Sequence, residues 1–122
     1  MELITLQIYG IWLKTSRYFG AIPVDERVVI DGKFVSAAGV TAGIDGALRV
    51  AALLCGDRVA QEIQLQIQYA PEPPFNSGTP ASAPPEILEA ARATSREITE
   101  ARLTTAKRIA TRLGVVTKES GL

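Results

Sequence analysis

Apolar and polar positions alternate with different periods along the 122 residues, and those periods sketch the elements. Residues 3–13, LITLQIYGIWL, are rich in β-branched and aromatic types but settle on neither the strand nor the helix period. Because the run continues through Tyr18 and Phe19 to Gly20, a helix is favoured there. Ala21 to Val24 contains Pro23, which fixes φ and removes an amide donor, so this stretch reads as an extended connection. Arg27–Ile30 and Lys33–Ser36 are β-prone runs flanking Asp31-Gly32, a dipeptide suited to the positive φ of a tight hairpin turn. Ile44, Ala47, Leu48, Ala51 and Leu54 then fall three or four apart, predicting a helix capped by Thr41 and stopped by Gly56. Asp57 is the expected N-cap of a second helix to Tyr69, with Val59, Ile63 and Ile67 on one face. Residues 63–69 also alternate as a strand would, and Gln/Glu content with the Pro71 stop favours helix.

Residues 70–85 hold six of the seven prolines, too few donors for regular structure, with Phe75 as the expected anchor of a surface strap. The longest helix is predicted from Pro84 to Leu113. Its expected apolar stripe is Ile87, Ala91, Ile98, Ala101 or Arg102, Ile109 and Leu113, and Gly114 ends it. The pairs Glu89/Arg92 and Arg96/Glu100 have the spacing to support it. Fold class is thus α/β, a β-hairpin followed by three helices. The hairpin strands 28–30 and 34–36 keep unpaired amides and an uncovered apolar side, which predicts self-association.

Composition narrows the chemistry. Thirteen Lys+Arg balance thirteen Asp+Glu, leaving no net cationic field for nucleic acid or anionic lipid. The absence of histidine excludes His-based acid/base catalysis, Ser-His-Asp or Cys-His nucleophiles and most transition-metal sites. No cofactor or metal is implied. Cys55 is the one cysteine, so no internal disulfide forms and a cytoplasmic location is expected. The N-terminal apolar run lacks a basic n-region, and Lys14 and Arg17 end it short of a membrane span.

Three candidate features compete with simpler roles. Cys55 near the end of an Ala/Leu-rich helix reads as a buried structural residue, not a nucleophile. The Gly39–Asp45 turn lacks phosphate-loop spacing and reads by itself as a strand-to-helix connection. Asp25, Glu26, Asp31, Asp45 and Asp57 each have a turn or cap position and are expected to be solvated, and Arg92, Arg96, Arg102, Lys107, Arg108 and Arg112, interspersed with Glu, form a charged outer helix face.

Three pieces carry a family resemblance: GAIPV followed by RVVIDG within Gly20–Gly32, GVTAGID at Gly39–Asp45, and QLQIQYAPEPPFNSGTP at Gln64–Pro80. Over 18–113 the chain resembles the C-terminal half of isonitrile (isocyanide) hydratases of the ThiJ/PfpI superfamily. Residues 1–17 diverge and 114–122 form a tail. The resemblance implies part of a flavodoxin-like (class I glutamine amidotransferase-like) sandwich, usually dimeric. In that family a cysteine on a strand-to-helix elbow attacks the isonitrile carbon, an acidic residue assists, and water releases an N-substituted formamide. Both catalytic residues map outside the matched part, and Cys55 matches a helix position, so no catalytic residue is expected here.

The resemblance does place Ala38, Gly39, Val40 and Thr41 on the loop beside the family's active site, as a substrate-pocket wall. The family's GGG(V/I)T reads Ala37-Ala38-Gly39-Val40-Thr41 here, so added methyl groups narrow that pocket. The expected protein is therefore a truncated or split relative, inactive alone, with a homo-oligomeric partner or a chain supplying the missing strands, and an isonitrile as the small-molecule ligand. The alternatives are a non-catalytic dimerisation or binding module, and the sensor half of an AraC-type regulator.

Overall fold

The computed structural model describes residues 4–7 and 13–115. Strand β1 (Ile4–Gln7) is followed by a short helical turn, α1 (Leu13–Ser16), continued as a 3-10 turn over Arg17–Phe19. Then come β2 (Ala21–Val24), β3 (Val28–Asp31), β4 (Phe34–Ala37), and helices α2 (Ala42–Cys55), α3 (Asp57–Gln66) and α4 (Pro85–Leu113). Gly20 ends the 3-10 turn with φ 74°, a left-handed conformation that costs glycine little.

β1 and β2 pair in parallel, with Ile4 opposite Ala21 and Gln7 opposite Val24. The helix expected over residues 3–13 is therefore corrected for 4–7, while 8–12 lie outside the described residues. Local preference was evenly poised there, and a ladder partner seventeen positions downstream decides it. The connection read into Ala21–Val24 is that partner strand, extended as Pro23 requires. β3 and β4 form the antiparallel hairpin expected, from Val28↔Ala37 to Asp31↔Phe34. Its two loop residues are Gly32 and Lys33, one position later than the Asp31-Gly32 dipeptide, and only Gly32 takes a positive φ, 56°. β1 lies beside both hairpin strands.

Helix α2 sits on the hairpin through its smallest residues. Ala42 and Gly46 are its buried positions, and a Cβ at Gly46 would stand 3.4 Å from the Ala37 Cβ. The expected stripe is therefore displaced: Leu48 and Ala51 are half-buried, but Ile44, Ala47 and Leu54 are exposed. α3 packs along α2 through Ala60, Val59 and Ile63, whereas Ile67 is exposed and lies past the helix end. Gly56, not Asp57, occupies the N-cap position of α3, and Asp57 is its first residue.

Helix α4 starts with Pro85 at its first position and ends at Gly114, φ 64°. Its packed residues are Ala106 and Ala110, with Leu88, Ser95, Thr99, Leu103 and Ile109 half-buried. Ile87, Ala91, Ile98, Ala101 and Leu113 of the expected stripe are exposed. α4 meets the body at α1 and the Arg17–Phe19 turn, where alanines allow close approach, and Ile87, Ile98 and Leu113 are left exposed among the described residues. Arg96 pairs with Glu89 at 3.9 Å, in place of the Glu100 its spacing suggested.

Among the described residues the buried apolar set is Ala21, Val29, Ala42, Ala60, Ala106 and Ala110, and no large side chain is fully buried. The accessible surface is 9468 Å², against about 6,300 Å² for a folded monomer of this mass. No helix among the described residues is long and apolar enough to cross a membrane.

Candidate functional site

Three elements converge on one polar cluster. Arg27 precedes β3, Asp45 lies in the first turn of α2, and Tyr69 follows α3. The Arg27 Nε donates to Asp45 Oδ2, and the Tyr69 hydroxyl donates to Asp45 Oδ1 at 2.9 Å. Arg27 Nη2 also reaches Thr41 Oγ1 at 3.5 Å, and Gln64 Nε2 donates to the Tyr69 carbonyl at 3.1 Å. The Asp45 carboxylate, and secondarily the Tyr69 hydroxyl, raise the guanidinium's pKa above its ordinary strongly basic value, so Arg27 stays charged. Asp45 is thus a shared acceptor with a third of its side chain exposed, a correction to the solvated role expected for it.

Beside this cluster lies an open cleft of about 780 Å³. Val28 and Ile30, two apart on β3, project to the same side. Leu48 and Arg49 lie three and four residues beyond Asp45, on one face of α2. Together with Glu26 and Gln64 these residues line the cleft. A smaller, mainly apolar crevice of about 390 Å³ separates α4 from the 3-10 turn, between Phe19 and Ala101, Thr105 and Ala106.

The expected pocket-wall residues occupy the connection from β4 to α2. Ala38 N donates to the Arg27 carbonyl at 3.0 Å, and Gly43 N to the Gly39 and Val40 carbonyls at 3.1 and 3.2 Å. The Val40 side chain is 97% exposed. Thr41 occupies the N-cap position of α2 without a side-chain capping bond, its hydroxyl facing Arg27 instead. The loop adjoins the cleft through Thr41, while the lining comes from β3, α2 and α3.

Two expectations are corrected. Cys55, expected to be buried, is exposed at the last turn of α2, because nothing among the described residues packs over that end. Phe75, expected to anchor the proline strap, is 78% exposed. The strap is ordered instead at its ends, by Tyr69 and by reciprocal Thr79–Ser82 hydrogen bonds. The Arg27–Asp45–Tyr69 cluster went unseen in the sequence, and the signal available was that all three residues lie inside the three pieces that carry the resemblance.

No family model matches the chain. An isonitrile hydratase from Pseudomonas putida is 45% identical over 96 residues, which make up 79% of this chain and 42% of that protein. The crystal structure of a ThiJ/PfpI family protein from Pseudomonas syringae aligns with a TM-score of 0.78 at 34% identity, covering 85% of this chain and 44% of that one. The fold is therefore the ThiJ/PfpI type, a flavodoxin-like, class I glutamine amidotransferase-like sandwich present in part. Over most of its length the chain is thus similar to part of an isonitrile hydratase and to part of a ThiJ/PfpI family protein, and it spans less than half the length of either relative.

Proposed function

We propose that these 122 residues form the non-catalytic portion of an isonitrile hydratase-type protein and do not hydrate isonitriles by themselves. The observation that carries this reading is the mismatch in coverage: four-fifths of the chain aligns at 45% identity with a protein of which it supplies 42%. Attack on an isonitrile carbon needs a positioned thiolate and an acid. The one thiol here, Cys55, stands exposed at a helix end and outside the cleft lining, a place that supports no such role. In this reading the Ala38–Thr41 loop is one wall of the substrate pocket, and the rest of the pocket comes from the remainder of the fold.

The unusually large accessible surface supports association, either between copies of this chain or with a chain bearing the missing strands. The test is to incubate the purified chain with cyclohexyl isocyanide and measure the N-substituted formamide. None is expected. Product that disappears on Cys55→Ser would overturn the proposal. Sedimentation at micromolar concentration is expected to report a species heavier than 13.0 kDa, and a well-folded monomer would refute the association.

A further inference from the structure

The cleft between β3 and α2 has a charge arrangement that the hydratase reading does not use. A carboxylate in a helix ordinarily finds its cation four residues on, and for Asp45 that residue is Arg49. Both Asp45 oxygens are already taken, Oδ2 by Arg27 and Oδ1 by Tyr69. Arg49 is left in the cleft lining with no hydrogen-bond or ion-pair partner among the described residues, and Glu26 is in the same position. Arg27 and Asp45 neutralise each other. What remains is one free guanidinium and one free carboxylate bordering the apolar surface of Val28, Ile30 and Leu48.

We infer that this cleft binds a small aliphatic zwitterion of the α-amino acid class, its carboxylate on Arg49, its ammonium on Glu26 and its side chain over Val28, Ile30 and Leu48. A ligand with one charge leaves the other rim residue unmatched, whereas a zwitterion satisfies both. A guanidinium fork fits a carboxylate through two parallel hydrogen bonds. The volume, about 780 Å³, falls in the range of small-molecule sites. The inference is independent of the hydratase relationship, since it rests on the cleft alone.

The experiment is an amide-resolved NMR titration of the whole chain with L-leucine, with 4-methylpentanoate, which lacks the ammonium, and with 3-methylbutylamine, which lacks the carboxylate. Leucine is expected to shift the amides of Ile30, Leu48 and Gln64 with millimolar affinity, each one-charge analogue binding roughly fivefold more weakly. Arg49→Gln is expected to reduce leucine to the affinity of the amine, and Glu26→Gln to that of the carboxylate. Both side chains sit on the surface, and the dispersion of each variant's spectrum reports its fold. Absence of shifts at those amides up to about 20 mM leucine would overturn the inference, as would equal affinity for leucine and either analogue. A wild-type spectrum without dispersion would overturn it too, because the cleft exists only with α2 docked on the hairpin.

Discussion

Asp45→Ala is the perturbation that tests the polar cluster most directly, because one carboxylate serves two donors from two other elements. The Arg27 contribution is small: with 55% of the Arg27 side chain and 30% of the Asp45 side chain exposed, the pair is worth about 0–1 kcal/mol. The Tyr69 hydroxyl bond to an ionised acceptor, 2.9 Å and partly buried, contributes about 1 kcal/mol, near the lower end for charge-assisted bonds. An acidic residue in the first turn of α2 adds about 0.3–1 kcal/mol through the helix dipole. Alanine returns about 0.5 kcal/mol of helix propensity. The net expectation is a loss of about 1–2 kcal/mol, or roughly 4–8 °C in Tm for a domain of this size.

Urea unfolding followed by far-UV circular dichroism measures this loss, and the partition can be checked in the same assay. Asp45→Asn, which keeps an acceptor for Tyr69, is expected to cost about half as much as alanine. Adding 0.5 M salt, a concentration at which the Debye length is about 4 Å, removes the Arg27 share but leaves the Tyr69 share. Arg27 holds its proton more tightly folded than unfolded. Its contribution is therefore fully present below its unfolded value and is lost only in strong alkali, so Arg27 titration gives no slope between about pH 5 and 9. An Asp45→Ala cost below about 0.3 kcal/mol, or a Tyr69→Phe cost smaller than that of Arg27→Gln, would refute the reasoning.

Three further outcomes are expected. Gly46→Ala should stabilise by about 0.5–1 kcal/mol, since the added Cβ meets Ala37 at ordinary contact distance and removes a helix-interior glycine, whereas Gly46→Leu should destabilise; thermal melts decide both. Phe75→Ala should change stability by less than about 0.5 kcal/mol and leave proteolysis between Pro74 and Ser82 unaltered, because the ring is exposed. Cys55 should titrate with Ellman's reagent as one thiol per chain without denaturant, and a slow reaction that needs urea would show it covered.

The features legible in the sequence are those whose cause is local. Gly32 between β-prone runs marks a hairpin because few residues tolerate the positive φ of its turn, although the turn falls one position later than the dipeptide suggested, and Pro85 and Gly114 bracket α4 because each fits one terminus of a helix. Features set by a distant partner were illegible or misread. β1 is a strand because β2 pairs with it, and the Arg27–Asp45–Tyr69 cluster joins residues 18 and 24 positions apart. The pocket-wall role proposed for the Ala38–Thr41 loop rests on the family resemblance and not on spacing.

The misread helix faces share one origin. A periodic stripe of large apolar residues names the buried face of a helix only where a layer covers it, and here the helices make their closest approaches through glycine and alanine. Ala42 and Gly46 seat α2 on the hairpin, and Ala106 and Ala110 seat α4 on the Arg17–Phe19 turn. Leu53, Leu54, Leu65, Ile87 and Ile98 remain exposed by more than half. Small residues at the contacts with large ones outside is the pattern of a layer seen from one side, since sandwich helices and sheets bury apolar surface against elements on both faces. On the partial ThiJ/PfpI fold, the stripe and the observed packing overlap at Leu48, Ala51, Val59, Ile63 and Ile109, and they part at Ile44, Leu54, Ile87 and Ile98. The exposed part of the stripe is the apolar surface that no described element covers, and the alanines mark the contacts that are made.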